Sequence, residues 1–131
     1  MSEASQGAVG VVVAHGAMAQ GMTDAVLKIS GMGEDSLHAL SNEGRSPDDL
    51  LEALDEITRG QPAVIFTDLA SGSCALAARV CCTRGEHLVV INGVNLPMLL
   101  DFVFNRHLPM DELVPRLMAK GEEALTSFGG S

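Results

Sequence analysis

Three polar residues of this 131-residue chain each follow a short apolar run. His15 follows AVGVVVA, Asp68 follows AVIFT, and Asn95 lies four residues beyond HLVVI. A neutral imidazole is a competent nucleophile near pH 7, and a phosphorylated imidazole nitrogen passes its phosphoryl group on readily. The chemistry that His15 predicts is therefore covalent transport of a phosphoryl group.

An acidic residue and a small-residue turn offer what such a histidine needs. Asp68 is the candidate to fix the tautomer of the ring and to stabilise the charge that builds on it. Backbone N–H groups of Ser71, Gly72 and Ser73, at the start of a predicted helix, are the candidate phosphate cradle. Gly16 and Asn95 are further candidate contacts.

Transfer of a phosphoryl group through His15 does not require a nucleotide. The chain contains neither GxxxxGK[ST] nor GxGxxG, the two phosphate-binding glycine motifs of nucleotide sites. We therefore expect no cofactor and no metal in the reaction, and a phosphoprotein as the donor.

Apolar runs that alternate with helical patterns must position these residues. The strand candidates are residues 8–14, 37–40, 63–66 and 87–91. Continuous apolar runs are typical of strands buried on both faces, and strands that alternate with helices predict a doubly wound, mostly parallel α/β sheet with helices on both faces. The polar residues that follow parallel strands then share one edge of the sheet, where ligands bind.

The helix signals differ in strength along the chain. Ser46-Pro47-Asp48-Asp49 combines an N-cap residue, proline at the first position and acids in the first turn, so it predicts a helix. The predicted core residues are Met18, Met22, Val26 and Ile29 in the first helix, Leu76, Ala77 and Val80 in the third, and Leu113, Leu117 and Leu125 in the last, with Gly121 as a break.

Composition narrows the function classes. A net charge of −9, with only eight Lys and Arg residues, argues against a nucleic-acid partner. Three cysteines without paired or zinc-type spacing indicate a reducing compartment, and the start of the chain lacks a secretory pattern, so we expect a cytoplasmic protein without membrane insertion. Residues 1–131 are predicted to form one domain, with residues 1–7 as a flexible terminus.

Three segments carry a family resemblance. The opening VVVAHG, the segment TDLASGS and above all GVNLPML resemble the mannose-family IIA component of the bacterial sugar phosphotransferase system, over about residues 8–126. The resemblance implies that His15 accepts phosphate from the phosphocarrier protein HPr and passes it to a IIB component, with Asp68 beside the ring and the Gly/Ser turn receiving the phosphate. It also implies a homodimer with an antiparallel edge strand exchanged between subunits, which here comes from the C-terminal stretch.

The turn departs from that family's usual pattern. Where the family commonly has D-x-x-G-G-S-P-x-N, this chain has DLASGSCAL, which places Cys74 after the turn. A helix N-terminus is expected to lower the pKa of the Cys74 thiol. Two alternatives stay open: a regulatory protein whose phosphorylation state controls a kinase or transcription factor, and the phosphotransfer subunit of dihydroxyacetone kinase, which is not expected to carry GVNLPML.

Overall fold

Strands and helices alternate along the chain, as the sequence predicts. The computed structural model describes residues 7–130, so the predicted flexible terminus lies outside the described residues except for Gly7. The elements are β1 (Val9–Ala14), α1 (Met18–Ser30), β2 (Leu37–Ser41), α2 (Pro47–Thr58), β3 (Ala63–Thr67), α3 (Ser73–Cys82), β4 (Leu88–Asn92), α4 (Leu96–Asn105) and α5 (Met110–Glu123).

The four strands form one all-parallel sheet in the order β2-β1-β3-β4. The chain runs from β1 outward to β2 on one side, then crosses back to β3 and on to β4 on the other. Strand order therefore reverses between β1 and β3, which is the point where open α/β sheets bind ligands. The fold is the predicted doubly wound α/β architecture.

Alternate side chains of the strands build two cores, one on each face of the sheet. Val12 and Phe66 pack with α1, α4 and α5, whereas Val11 and Ile65 pack with α2 and α3. All four side chains are fully buried, as expected for parallel strands covered on both faces. The Phe102 ring of α4 meets Phe66 edge-on, with the ring centroids 5.5 Å apart.

The helix predicted from its capping signal begins where the sequence places it. The Ser46 side chain accepts a hydrogen bond from the backbone N–H of Asp49, and the Asp49 side chain accepts one in return from the backbone N–H of Ser46. Such a capping box satisfies two otherwise unpaired donors. The buried face of α2 carries Leu50 and Leu54.

Several core predictions for the other helices are wrong. Met18, Ile29, Leu76 and Leu125 are exposed, and small residues such as Ala19 are buried instead. A small side chain lets a helix lie close to the sheet, so size as well as apolar character decides which face turns inward.

Gly121 does not break the last helix. It is a buried residue inside α5, where a Cβ atom would lie 2.5 Å from the terminal methyl of Met98. Glycine therefore lets α5 lie close to α4 without displacing that methyl.

The C-terminal stretch pairs with no strand in the described part of the chain. Residues 125–130 have no regular secondary structure, and the sheet formed within residues 7–130 is parallel throughout. The described residues of the single chain thus form no antiparallel edge strand. No helix within residues 7–130 is both long and apolar enough to cross a membrane.

Candidate functional site

His15 and Asp68 meet at the edge of the sheet where the strand order reverses. Val13 of β1 is in register with Thr67 of β3, so the residues that follow these strands are neighbours. Asp68 Oδ2 lies 2.8 Å from His15 Nδ1 and accepts a second hydrogen bond, of 2.9 Å, from the His15 backbone N–H. The predicted pair is brought together.

The carboxylate determines which ring nitrogen is available. Burial raises the pKa of Asp68, but the backbone and ring hydrogen bonds from His15 outweigh it and hold that pKa below its ordinary value. An ionised carboxylate only accepts hydrogen bonds, so the proton of a neutral His15 ring is on Nδ1. The lone pair is then on Nε2, and the His15 side chain is 43% exposed.

Two residues at the end of β2, Ser41 and Asn42, hold the turn that follows His15, and sequence reasoning missed both. The Asn42 side-chain oxygen accepts a 3.3 Å hydrogen bond from the backbone N–H of Gly16, and the Ser41 hydroxyl donates to the Gly16 carbonyl at 2.8 Å. Gly16 has a φ of +62°, a left-handed conformation that favours glycine. The signal available in the sequence was two polar residues that end a predicted strand at this edge.

The predicted cradle lies against the histidine ring. Gly72 is the N-cap of α3 with a φ of +96°, and no side chain caps this helix. A Cβ atom built on Gly72 would lie 3.9 Å from His15 Cε1, the carbon bonded to both ring nitrogens. Ser71, Gly72 and Ser73 are all exposed. The first N–H groups of a helix have no partner within it, so an anion next to the ring lies close to free donors.

Cys74 behaves differently from the sequence-based expectation. Its side chain is fully buried, and its Sγ lies 3.9 Å from His15 Nδ1. Burial is the largest effect and the nearby Asp68 charge adds to it, so the pKa of the thiol is raised rather than lowered. The prediction of a lowered pKa was wrong because desolvation and the like charge of Asp68 raise the pKa of the thiol.

The structure gives Asn95 a capping role. Its side-chain oxygen accepts a hydrogen bond from the backbone N–H of Met98 at 3.1 Å, and its amide donates to the Gly121 carbonyl at 2.9 Å. The side chain therefore joins the start of α4 to α5. Both ends of the Asn95 amide are in use, so we leave it out of the phosphate site.

Exposed apolar residues lie close in the sequence to the candidate site residues. Leu69, Leu76 and Met18 are 56%, 53% and 41% exposed, and each lies within three residues of a candidate site residue in the sequence. Apolar side chains around an accessible histidine are typical of a surface that another protein contacts.

The class defined by fold and site is a doubly wound α/β domain with an accessible histidine paired to a carboxylate at its switch point. A family model described as the PTS system fructose IIA component, EIIA-man, matches residues 10–118, and the chain belongs to this family. A sorbose-specific EIIA component of the same phosphotransferase system (PTS), from Klebsiella pneumoniae, is 34% identical over 113 residues, which cover 83% of either chain.

Solved structures show the same fold. The EIIA component from Streptococcus agalactiae superposes with a TM-score of 0.84 at 23% identity, covering 91% of this chain and 95% of that one. The mannose/sorbose-specific IIA subunit from Enterococcus faecalis gives 0.83 at 20% identity, covering 96% and 98%. Membership of this family implies a phosphocarrier role and phosphotransferase activity.

Proposed function

We propose that His15 Nε2 accepts a phosphoryl group from phospho-HPr and passes it to a IIB component. The observation that carries this proposal is the hydrogen bond between His15 Nδ1 and Asp68 Oδ2, which leaves the other nitrogen with its lone pair on an exposed ring. A nucleophile held by a carboxylate in the correct tautomer is a recurring arrangement for group transfer.

The transfer balances without any further reactant. The Nε2 lone pair forms a bond to phosphorus as the bond from phosphorus to the donor's histidine nitrogen breaks, and the donor ring keeps that electron pair. The His15 ring then carries Nδ1–H and a phosphorylated Nε2, so positive charge builds on it. Asp68, ionised and 2.8 Å from Nδ1, stabilises that charge.

Ser71, Gly72 and Ser73 are proposed to bind the phosphoryl oxygens. Support comes from the position of Gly72 against His15 Cε1 and from the free N–H groups at the start of α3. Glycine at the N-cap leaves room for the phosphate. We assign Gly16 a positioning role, because its hydrogen bonds to Ser41 and Asn42 hold the turn after His15.

The proposed partners are proteins that dock over this edge. Leu69, Leu76 and Met18 would supply apolar contacts around the histidine, and the net charge of −9 favours partners with a basic docking face. We place this phosphoryl transfer in the cytoplasm, in keeping with the three free thiols in the described part of the chain. The family match favours neither the purely regulatory role nor the dihydroxyacetone kinase subunit.

A labelling experiment tests the proposal. Incubation with labelled phosphoenolpyruvate, enzyme I and HPr should place one acid-labile phosphate on the wild-type chain. His15→Ala should take up none, because the accepting nitrogen is gone. The matched control is His107→Ala, which removes an exposed histidine on the short loop between α4 and α5.

Transfer of the phosphate to a IIB component distinguishes a phosphocarrier from a protein that only keeps its phosphate. The labelled chain should lose its phosphate to a IIB component within the mixing time, and the IIB of the Klebsiella sorbose system is a suitable first acceptor because its EIIA is the 34% identical relative. Equal labelling of His15→Ala and wild type would reject the assigned residue. Stable labelling without transfer to any IIB would instead support a regulatory role.

We further propose that the protein works as a homodimer. β4 is an edge strand whose Leu88, Val89 and Val90 are only half-buried. The unpaired C-terminal stretch carries Leu125 and Phe128, which are 82% and 102% exposed. An unpaired edge and an unpaired apolar segment in one chain are complementary between two copies.

A further inference from the structure

Three different metal-binding side chains converge beside the proposed phosphate-accepting ring. The ligand atoms of His15, Asp68 and Cys74 all lie within 4.8 Å of one another. His15 Nδ1 lies 2.8 Å from Asp68 Oδ2 and 3.9 Å from Cys74 Sγ. Imidazole nitrogen, carboxylate oxygen and cysteine sulfur are the donors that Zn²⁺ uses in proteins.

We propose that His15, Asp68 and Cys74 form an inhibitory site for Zn²⁺, or a cation of similar softness, and that bound metal stops His15 from accepting phosphate. The inhibition rests on the proposed function; the binding itself does not. Cys74 gives this chain its sulfur ligand, and it lies at the end of the turn where the sequence departs from the family's usual pattern.

Two of the three donor separations need only small adjustments. With Zn–N and Zn–O bonds of about 2.0 Å and a Zn–S bond of about 2.3 Å, tetrahedral geometry separates the donors by about 3.3 Å for N and O and about 3.5 Å for N and S. The pair of His15 and Asp68 must therefore open by about half an ångström, and the sulfur must approach by about 0.4 Å. The Asp68 oxygen and the Cys74 sulfur, at most 4.8 Å apart, must come to about 3.5 Å, so both the His15 ring and the Asp68 side chain must rotate.

The exposure of the site leaves a path for the cation. The Cys74 side chain is fully buried, whereas the His15 side chain is 43% exposed, so a cation enters from the side of the ring. Three protein ligands leave the fourth tetrahedral position on that side for water, as in other three-ligand zinc sites.

Proton accounting explains why the metal would inhibit. A neutral imidazole has one proton, which is on Nδ1 while Asp68 accepts it. When the metal takes the Nδ1 lone pair, that proton moves through solvent to Nε2, and the Cys74 thiol releases its own proton to solvent. Asp68 is already ionised, so one proton is released per metal bound. Nε2 is then an N–H group with no lone pair for phosphorus.

Cobalt substitution tests the site directly. Co²⁺ added to the metal-free wild-type chain should give a thiolate-to-cobalt charge-transfer band that is complete at one equivalent. Added Zn²⁺ should displace the Co²⁺ and abolish the band. Cys74→Ala and Cys74→Ser should lose the band and bind Zn²⁺ more than about 100-fold more weakly, because losing a ligand costs more than losing its supporting contacts. Cys82→Ala is the matched control, since Cys82 is a free, half-buried thiol on the same helix and outside the triad.

Phosphate transfer is measured on the same proteins. Phospho-HPr is prepared first and freed of metal, and its transfer to each variant is followed with chelator or with one equivalent of Zn²⁺. With chelator, all variants should be labelled like wild type; with Zn²⁺, wild type and Cys82→Ala should be inhibited and both Cys74 variants should not. Having two Cys74 variants guards against a folding defect in either one.

The outcomes separate the two proposals. A cobalt spectrum without a thiolate band, or equal Zn²⁺ inhibition of wild type and both Cys74 variants, would overturn the metal site. Failure of wild type to accept phosphate in chelator would overturn the phosphocarrier function while leaving the cobalt result to judge the metal site on its own.

Discussion

A single carboxylate oxygen organises the proposed site. Asp68 Oδ2 accepts hydrogen bonds from both the backbone and the ring of His15, so it fixes the position of the main chain and the tautomer of the side chain together. An asparagine at this position keeps an acceptor oxygen but has no charge to stabilise a phosphorylated, cationic ring. Geometry and charge can therefore be separated by one substitution.

Asp68→Asn should accept phosphate from phospho-HPr about 100-fold more slowly than wild type, a loss typical of removing an oriented, charged partner. Rapid-quench labelling measures the rate. Asp55→Asn is the matched control, because Asp55 on α2 is a carboxylate paired with Arg84 in the turn after α3. Equal rates for Asp68→Asn and wild type would contradict the assigned role.

The same variant reports on acid stability. The pKa of Asp68 is lowered on folding, so its ionised form stabilises the fold above the ordinary carboxyl pKa, and this stabilisation is lost as the pH falls from about that value through the lowered one. Urea unfolding should show a constant difference between wild type and Asp68→Asn near neutral pH. Below the ordinary value of 3.8 the difference should shrink.

The positions and contacts of the site residues could be predicted from the sequence to different extents. His15 and Asp68 were predictable because each ends a buried strand and lies in a family motif. Ser41 and Asn42 were not, because they act by holding a turn 25 and 26 residues away. For Cys74, its position at a helix start predicted a lowered pKa. Burial and the nearby Asp68 charge raise that pKa instead, and both depend on the tertiary structure.

Helices and strands were predictable where their signals are local. The start of α2 is determined by Ser46, Pro47 and Asp49, which act on one another within four residues. The inward face of α1 depends instead on how closely it lies against the sheet and α4, which is why Met18 and Ile29 are exposed. The spacing of apolar residues in the sequence does not reveal how closely α1 lies against the sheet and α4.

Close approach between elements also explains Gly10 in the middle of β1. A Cβ atom there would lie 2.7 Å from the Phe102 ring and 2.8 Å from a Leu37 methyl, both in buried residues. Gly10→Ala should therefore lower the free energy of unfolding by about 1–3 kcal/mol, the usual cost of overpacking. Urea or thermal unfolding measures the change.

Gly21→Ala is the matched control for that substitution. Gly21 lies in α1, is exposed, and a Cβ atom there meets nothing within 4 Å. Because glycine is a poor helix former, this change should raise the free energy of unfolding by about 0.5–1 kcal/mol. A Gly10→Ala variant as stable as wild type would show that α4 moves away from β1 at little cost.

The whole molecule brings His15 and Asp68 together through its strand order. Alternating strands and helices predict a parallel sheet, but several orders are compatible with that pattern. Only an order that places β1 beside β3, as in β2-β1-β3-β4, makes residues 53 positions apart neighbours. The family resemblance implied that Asp68 lies beside His15, whereas the residue pattern alone left the strand order open.

The C-terminal stretch is proposed to join two chains without contributing to the site. The proposed site lies within a single chain, because His15 follows β1, Asp68 follows β3 and the Ser71–Ser73 turn leads into α3. A chain ending at Ala124, which lacks the unpaired stretch with Leu125 and Phe128, should therefore be a monomer that still accepts phosphate from HPr. Sedimentation equilibrium gives the mass and labelling gives the activity.

A full-length variant controls for the missing backbone in that experiment. Leu125→Ser with Phe128→Ser keeps every backbone hydrogen-bonding group but removes the two exposed apolar side chains. If exchange depends on burying them, this variant should dissociate at a higher concentration than wild type and at a lower one than the truncated chain, because pairing along β4 without an apolar face is weak. Equal masses for all three proteins would place the dimer contact elsewhere or show that none forms.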